Sequence, residues 1–299
     1  MLKRKELVLL VVFLSVLLVG FSFSKEKLKV FISVDMEGIA GVVHADQTSS
    51  SGRDYNIARR WTTEEVNAAI IGALEAGATE IVVNDSHGSM RNVIASELNP
   101  SAFLITGSPK PMSMVQGLDE TFDAVIFIGY HARAGTKDGV LDHTYSGSSV
   151  YSIKINGLEM GESEINAAVA GWYKVPVVLI TGDEVVCEQV RKNLGNGLEV
   201  AVVKKGVGRY AAKSLTPVKA QELIRTKTKI ALERRESIKP FILKPPFHFE
   251  LIFLRSYMAD KADLIPQVER KGARTVSFTS ENLIEGFKLM RALIYLASR

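Results

Sequence analysis

The stretch Lys29–Gly41, KVFISVDMEGIAG, restricts the fold more than any other part of the chain. Val30, Phe31, Ile32 and Val34 form a mostly apolar, β-branched run, the composition of a buried strand in an α/β sheet. The run ends on Asp35 and Glu37, two residues apart, after which Gly38 and Gly41 loosen the backbone. In an extended chain residues i and i+2 point to one side. Both carboxylates therefore converge at the strand's carboxyl end, where open α/β sheets place their ligands. An isolated D-x-E reads better as a solvated turn; the other acidic and histidine residues change that reading.

The rest of the chain alternates in the same manner. A polar loop, His44 to Arg60, leads to Thr62-Thr63-Glu64-Glu65, which has the form of a capping box and predicts a helix starting there and ending before Gly77. Glu80–Asp85 (EIVVND) reads as a second buried strand joined by a right-handed crossover, with His87 just past its end. A short strand at Ala102–Thr106 precedes the Pro-containing loop GSPKPMSM, and Asp123–Tyr130 (DAVIFIGY) is a third apolar strand followed directly by His131. His143 closes the turn-rich loop Gly135–Asp142. Val150–Ile155 alternates as a partly exposed strand before an Asn156-Gly157 turn. Glu162 sits at the mouth of a helix over Ser163–Trp172, and Val177–Thr181 is a further strand. Thr216 and Pro217 open an amphipathic helix over Val218–Glu236. Strands around Phe241–Leu254 and Thr275–Phe278 and a helix over Ser280–Ser298 complete the chain. The expectation is an α/β fold: a three-layer αβα core with a mostly parallel sheet over 25–215, and a C-terminal α+β portion over 216–299 packed on it.

With 299 residues and 46% hydrophobic content, the chain has ample material for such a core. Lys3, Arg4 and Lys5 precede an apolar run from Leu7 to Phe23, and Ser22-Phe23-Ser24 has the small-x-small form of a cleavage site. Residues 1–24 thus read as a signal peptide and the protein as exported, to the periplasm or beyond. An uncleaved anchor is the alternative, because the run approaches the roughly 18–20 residues that span a bilayer. After cleavage no stable membrane insertion is expected. Lys3, Arg4, Lys5 and Glu6 carry +2 of the formal +4, leaving a nearly balanced +2. With no basic cluster interleaved with aromatics, nucleic acid is not an expected partner. A single cysteine, Cys187, forms no internal disulfide and reads as a small buried apolar residue.

Asp35, Glu37, His87, His131 and Glu162 share one property: each falls at the end of an expected strand or at the start of a helix. If the strands are parallel neighbours, all five lie on one edge of the sheet. Imidazole with carboxylate suits zinc or a similar divalent metal, and five ligands including a carboxylate able to bridge suit two ions. Spacing alone does not separate such a site from a solvated rim of polar loops.

At these positions the chain resembles a known family. Ser33-Val34-Asp35-Met36-Glu37-Gly38 is similar to the SxDxEG signature of the DppA-type zinc D-aminopeptidases of dipeptide-transport operons. The similarity continues through Asn84-Asp85-Ser86-His87, Lys110–Leu118, Gly129–Ala134 and Gly161-Glu162. It spans Lys29 to the C-terminus, is densest before Asp183, and keeps several motifs in order. The resemblance implies two zinc ions per subunit: Asp35 bridging, Glu37 and His87 completing one site, His131 and Glu162 the other. His143 would match the family's additional catalytic histidine. It further implies removal of N-terminal D-amino acids such as D-Ala from short peptides, in a homodecamer with the active sites facing an internal chamber. A proton for the leaving nitrogen is then a task for a group such as His143.

Two other classes compete: a two-metal phosphoesterase, and a non-catalytic dipeptide-binding component of a transport system. The first lacks a Gly-rich phosphate cradle, and the second needs neither five ligands nor His143. Among the remaining residues, Asp85 divides evenly between orienting a ligand histidine and capping the segment after it. His44 reads as a surface residue and His248 as a core or edge-strand histidine. Tyr130 reads as packing, Arg133 as a surface salt bridge, and Met112 and Met114 as a packed loop.

Overall fold

The structure is a computed structural model that describes residues 27–298. The expected signal peptide lies outside the described residues.

Seven strands form the main sheet: β1 (Leu28–Val34), β2 (Ala78–Asp85), β3 (Ala102–Ile105), β4 (Ala124–Tyr130), β7 (Val177–Asp183), β8 (Glu199–Gly208) and β9 (Ala211–Ser214). Their order is β3-β2-β1-β4-β7-β8-β9, parallel throughout except for the β8–β9 pair. β4 and β7 are buried along their whole length, which explains why both read as unbroken apolar runs. β5 (Val150–Ile155), β6 (Leu158–Met160), β10 (Phe247–Phe253), β11 (Glu269–Arg270) and β12 (Thr275–Ser280) form a second, antiparallel sheet in the order β11-β12-β10-β5-β6.

The helices are α1 (Ala45–Thr48), α2 (Tyr55–Glu75), α3 (Glu162–Trp172), α4 (Glu184–Leu194), α5 (Pro217–Glu233), α6 (Ser256–Ala262) and α7 (Leu283–Ala297). From β1 the crossover through α2 moves to β2, whereas α3 and α4 carry the chain the other way, to β7 and β8. Right-handed crossovers in opposite directions put their helices on opposite faces. α2 packs with α5, and α3 packs with α4, giving the helix–sheet–helix layering expected. The direction of winding reverses between β1 and β4. Such a reversal opens a crevice at the strands' carboxyl ends.

One expectation needs correction. The helix over α2 begins at Tyr55, well before the Thr-x-x-Glu pattern, so residues 55–60 are helical and not loop. Tyr55, Ala58, Thr62 and Val66 extend one buried stripe. The Thr62 and Thr63 hydroxyls, rather than capping an end, donate to the carbonyls of Ala58 and Arg59 one turn earlier, both at 2.9 Å. Elements from both sides of residue 215 meet in each sheet layer: β5 and β6 join the second sheet, while α5 packs on the main sheet's helical layer. β8, β9 and α6 carried no expectation. Cys187 is buried on α4. His248 lies on the outward face of β10, a strand paired on both sides, so it belongs neither to the core nor to an edge.

Candidate metal centre

Strand register brings the site together. Val34 is level with Asp85 on β2 and Ile128 on β4. Beyond the strand, Asp35 N donates to Ile128 O at 2.8 Å and Ser86 N to Val34 O at 2.8 Å. Asp35, His87 and His131 therefore leave three adjacent strands at one level. The turn carrying Glu37 sits directly on the end of β4: Gly38 N donates to Gly129 O at 2.7 Å. A Cβ on Gly38 would meet Tyr130 O at 2.0 Å, so only glycine permits this approach. Lys204, buried on β8, donates from Nζ to the carbonyls of Glu37, Ile39 and Val42 and ties the turn from beneath. Its burial pushes its pKa down to about 8, against the pull of Asp183, Glu65 and Glu37.

The five expected ligands converge. His87 Nδ1 is 3.1 Å from Asp35 Oδ1 and 2.9 Å from Glu37 Oε2. His131 Nε2 is 3.4 Å from Asp35 Oδ2 and 3.5 Å from Glu162 Oε1. Asp35 thus offers one oxygen to each histidine. Glu162 opens α3, where the N-terminal N–H groups favour a carboxylate. His143 joins the same cluster, its Nε2 3.6 Å from Glu162 Oε1 and its ring stacked on His131 at 4.1 Å.

The other ring nitrogens explain what the cluster is for. His87 Nε2 lies 2.8 Å from Thr48 O, His131 Nδ1 2.9 Å from Ala132 O, and His143 Nδ1 2.9 Å from Leu141 O. A carbonyl only accepts, so each of these nitrogens carries the proton. In the neutral imidazoles the opposite nitrogens then turn lone pairs toward carboxylate oxygens, an arrangement that repels unless a cation lies between. Correspondingly, Glu37 Oε2 and His131 Nε2 are buried without a hydrogen-bond partner among the described residues. Asp35, Glu37 and His131 present donor atoms within 4.8 Å of one another, as do His131, His143 and Glu162. The donor set fits zinc, which takes imidazole and carboxylate ligands.

With no ion between them, the same opposition is relieved by protonating the imidazoles, and the pKa values shift in that direction. Burial would raise the pKa of Glu37, but the charges of His87, His143 and His131 hold it far below the carboxylate range. Glu162 is lowered in the same way by His131 and His143 against its own burial. Burial opposes charge on His87 and His131, yet their carboxylate neighbours push both well upward. The pocket is built to stabilise positive charge.

Other residues fall as follows. Asp85 caps: it accepts from the backbone N–H groups of Asn92 and Val93, and Asn92 Nδ2 bridges from it to His87 O. His44 is exposed and caps α1. Arg133 pairs with Glu159 at 3.4 Å. Tyr130 is buried, with its hydroxyl between Ser33 and Asn166. Met114 is buried, accepts hydrogen bonds through its carbonyl and sulfur, and lines the cavity over the cluster. Tyr145 and Arg291 also line the cavity and escaped the sequence reading. Arg291 had one available signal: it is a lone cation among the buried apolar positions of α7.

A donor cluster of this kind, at the switch point of an open α/β sheet, defines a hydrolytic enzyme. The model of the D-aminopeptidase family (Peptidase_M55) matches residues 28–292, and the chain belongs to that family. The D-aminopeptidase of Bacillus subtilis (strain 168) is 39% identical over 278 residues, covering 91% of this chain and 98% of the relative. A solved structure described as a Zn-dependent D-aminopeptidase, DppA from Bacillus subtilis, a self-compartmentalizing protease, superposes with a TM-score of 0.88. It is 38% identical and covers 91% of this chain and 98% of that one. Membership decides for the peptidase over the phosphoesterase and the non-catalytic binding component. No helix among the described residues is long and apolar enough to cross a membrane.

Proposed function

We propose that this D-aminopeptidase releases N-terminal D-residues such as D-Ala from short peptides at a centre of two zinc ions. Asp35 would serve both ions, with Glu37 and His87 holding one and His131 and Glu162 the other. The observation that carries this reading is the opposition of imidazole lone pairs and carboxylate oxygens around Asp35. The Zn-dependence described for the Bacillus subtilis structure supports the choice of metal. Zinc in such a site supplies Lewis acidity, polarising a carbonyl and making water a nucleophile near neutral pH.

The chain's own residues do the rest. His143 lines the cavity and its side chain is 20% exposed, whereas that of His131 is 1% exposed. Its Nδ1–H is committed to Leu141 O, so Nε2 is the atom that exchanges protons. From there it takes the proton of the attacking water and returns it to the departing amine nitrogen as the C–N bond breaks. Holding the substrate's amine and carbonyl fixes two points. The side chain then occupies a third, and one hand fits. The self-compartmentalizing description of the Bacillus subtilis structure supports assembly into a closed oligomer, for which we infer a homodecamer. Export rests on the N-terminal sequence alone.

The test is kcat/KM on D-Ala-D-Ala and L-Ala-L-Ala with zinc-replete protein. Strong preference for the D-peptide is expected, and comparable values would overturn the reading.

A further inference from the structure

Arg291 is the one charged residue lining the cavity that the hydrolytic chemistry does not use. It is 9% exposed, and its Nε and Nη1 have no hydrogen-bond partner among the described residues. Its Cζ lies 4.4 Å from the ring centroid of Tyr145 and 4.9 Å from that of Tyr295. Aromatic faces offset part of the cost of burying a cation, but they leave its N–H groups without acceptors. A guanidinium held flat with free N–H groups is matched to a carboxylate, which it binds through two parallel hydrogen bonds.

The cavity that Arg291 lines is the one containing Asp35, His87, His143 and Glu162. Tyr145 links the two parts: its N–H donates to Glu162 Oε1 at 2.5 Å, and its ring carries Arg291. Tyr145 thus touches both the ligand cluster, through its backbone, and the cation, through its ring. The cavity volume is about 120 Å³, below the roughly 300–1,000 Å³ of sites for drug-sized molecules. A short peptide whose amino end lies at the ligand cluster carries an anion at its other terminus, the complement of this cation.

We propose that Arg291 binds the free C-terminal carboxylate of the substrate and so is a specificity-determining residue. This rests on the aminopeptidase reading above. Charge-assisted hydrogen bonds from a buried guanidinium correspond to about 10–100-fold in affinity.

The experiment compares D-Ala-D-Ala with its C-terminal amide, using zinc-loaded wild type, Arg291→Gln and Arg291→Lys. Wild type should favour the free acid by about 10–100-fold in kcat/KM, mainly through KM. Arg291→Gln should lose that factor on the acid and leave the amide unchanged, bringing the ratio near one. Arg291→Lys, which keeps the charge and loses the fork, should fall between. Equal rates on acid and amide in wild type would overturn the assignment while leaving the peptidase intact. So would an Arg291→Gln variant that loses both substrates alike, since Arg291 would then only support the fold. A wild type that cleaves neither substrate would remove the underlying reading as well. If Arg291→Gln does not fold, the wild-type ratio and the lysine variant decide.

Discussion

At Asp35 one carboxylate serves two histidines, and each histidine is fixed by a main-chain carbonyl behind it. His131 and His143 are stacked within 4.1 Å, yet they have different tasks in the proposed reaction. Replacing His131 by Ala empties a coordination position, so zinc and activity should both be lost. His143→Ala should keep its zinc and lose about 10²–10⁴ in rate, the range of general acid–base assistance. Metal content and turnover measured on the same samples separate the two, and a metal-free or fully active His143→Ala would reverse the assignment. Glu65 tests the support beneath the ligand turn. It is buried on α2, accepts from Ala40 N at 2.8 Å, and has Lys204 and Glu64 as charged neighbours. Burial pushes its pKa from 4.5 to about 7, against the opposing pull of Ala40 N–H and Lys204. Between those values the folded protein holds a proton that the unfolded chain has released, so this contribution is present at low pH and is lost as pH rises. Glu65→Gln keeps the acceptor and does not titrate. Relative to that variant, wild type should lose about 3 kcal/mol of stability from pH 4.5 to 7, read by denaturant unfolding across the range. A constant difference would show that Glu65 is ionised throughout.

The ligands are carried by element ends, and the closest fit between elements is the turn after β1 seated on the end of β4. Gly38→Ala would set its Cβ 2.0 Å from Tyr130 O and 2.5 Å from Gly129 C, backbone against backbone. One element must then move. Overpacking of this kind costs about 1–3 kcal/mol, and here it also separates Asp35 and Glu37 from His131. Gly38→Ala should therefore lose stability and zinc affinity together. Gly197→Ala, whose added Cβ has nothing within 4 Å, should lose neither. Calorimetry with metal titration distinguishes the pair. The strand ends were legible in the sequence because a doubly buried strand has an unbroken apolar run and a sharp polar stop, as at Val34–Asp35 and Tyr130–His131. The start of α2 was not, because Thr62 and Thr63 satisfy their hydroxyls within the helix and so imitate a cap. β8 carries Lys204 on a buried face, a position that reads as exposed until three carbonyls are seen around the ammonium. Tyr145 and Arg291 meet only through tertiary packing, which no local spacing encodes.

Across the whole molecule the two sheets are stitched together by chain that passes between them: β5 and β6 leave the main sheet's path before α3, and α5 returns to it after β9. If subunits close into the inferred oligomer, light scattering at micromolar concentration should give a mass several times that of the 32.8 kDa chain. A monomer would refute the assembly and leave the chemistry untouched. The order in which the pocket is built has a consequence in time. Every proposed zinc ligand has been synthesised once Glu162 emerges, but Arg291 belongs to the final helix. At ~5–20 residues per second, the interval between them is on the order of ten seconds. Throughout that interval a growing chain holds the proposed ligands without the residue proposed to receive a peptide's far end. On the proposed roles, a chain interrupted in that interval carries the candidate ligands but lacks both Lys204's support beneath the Glu37 turn, until β8 is made, and the residue assigned to a peptide's far end.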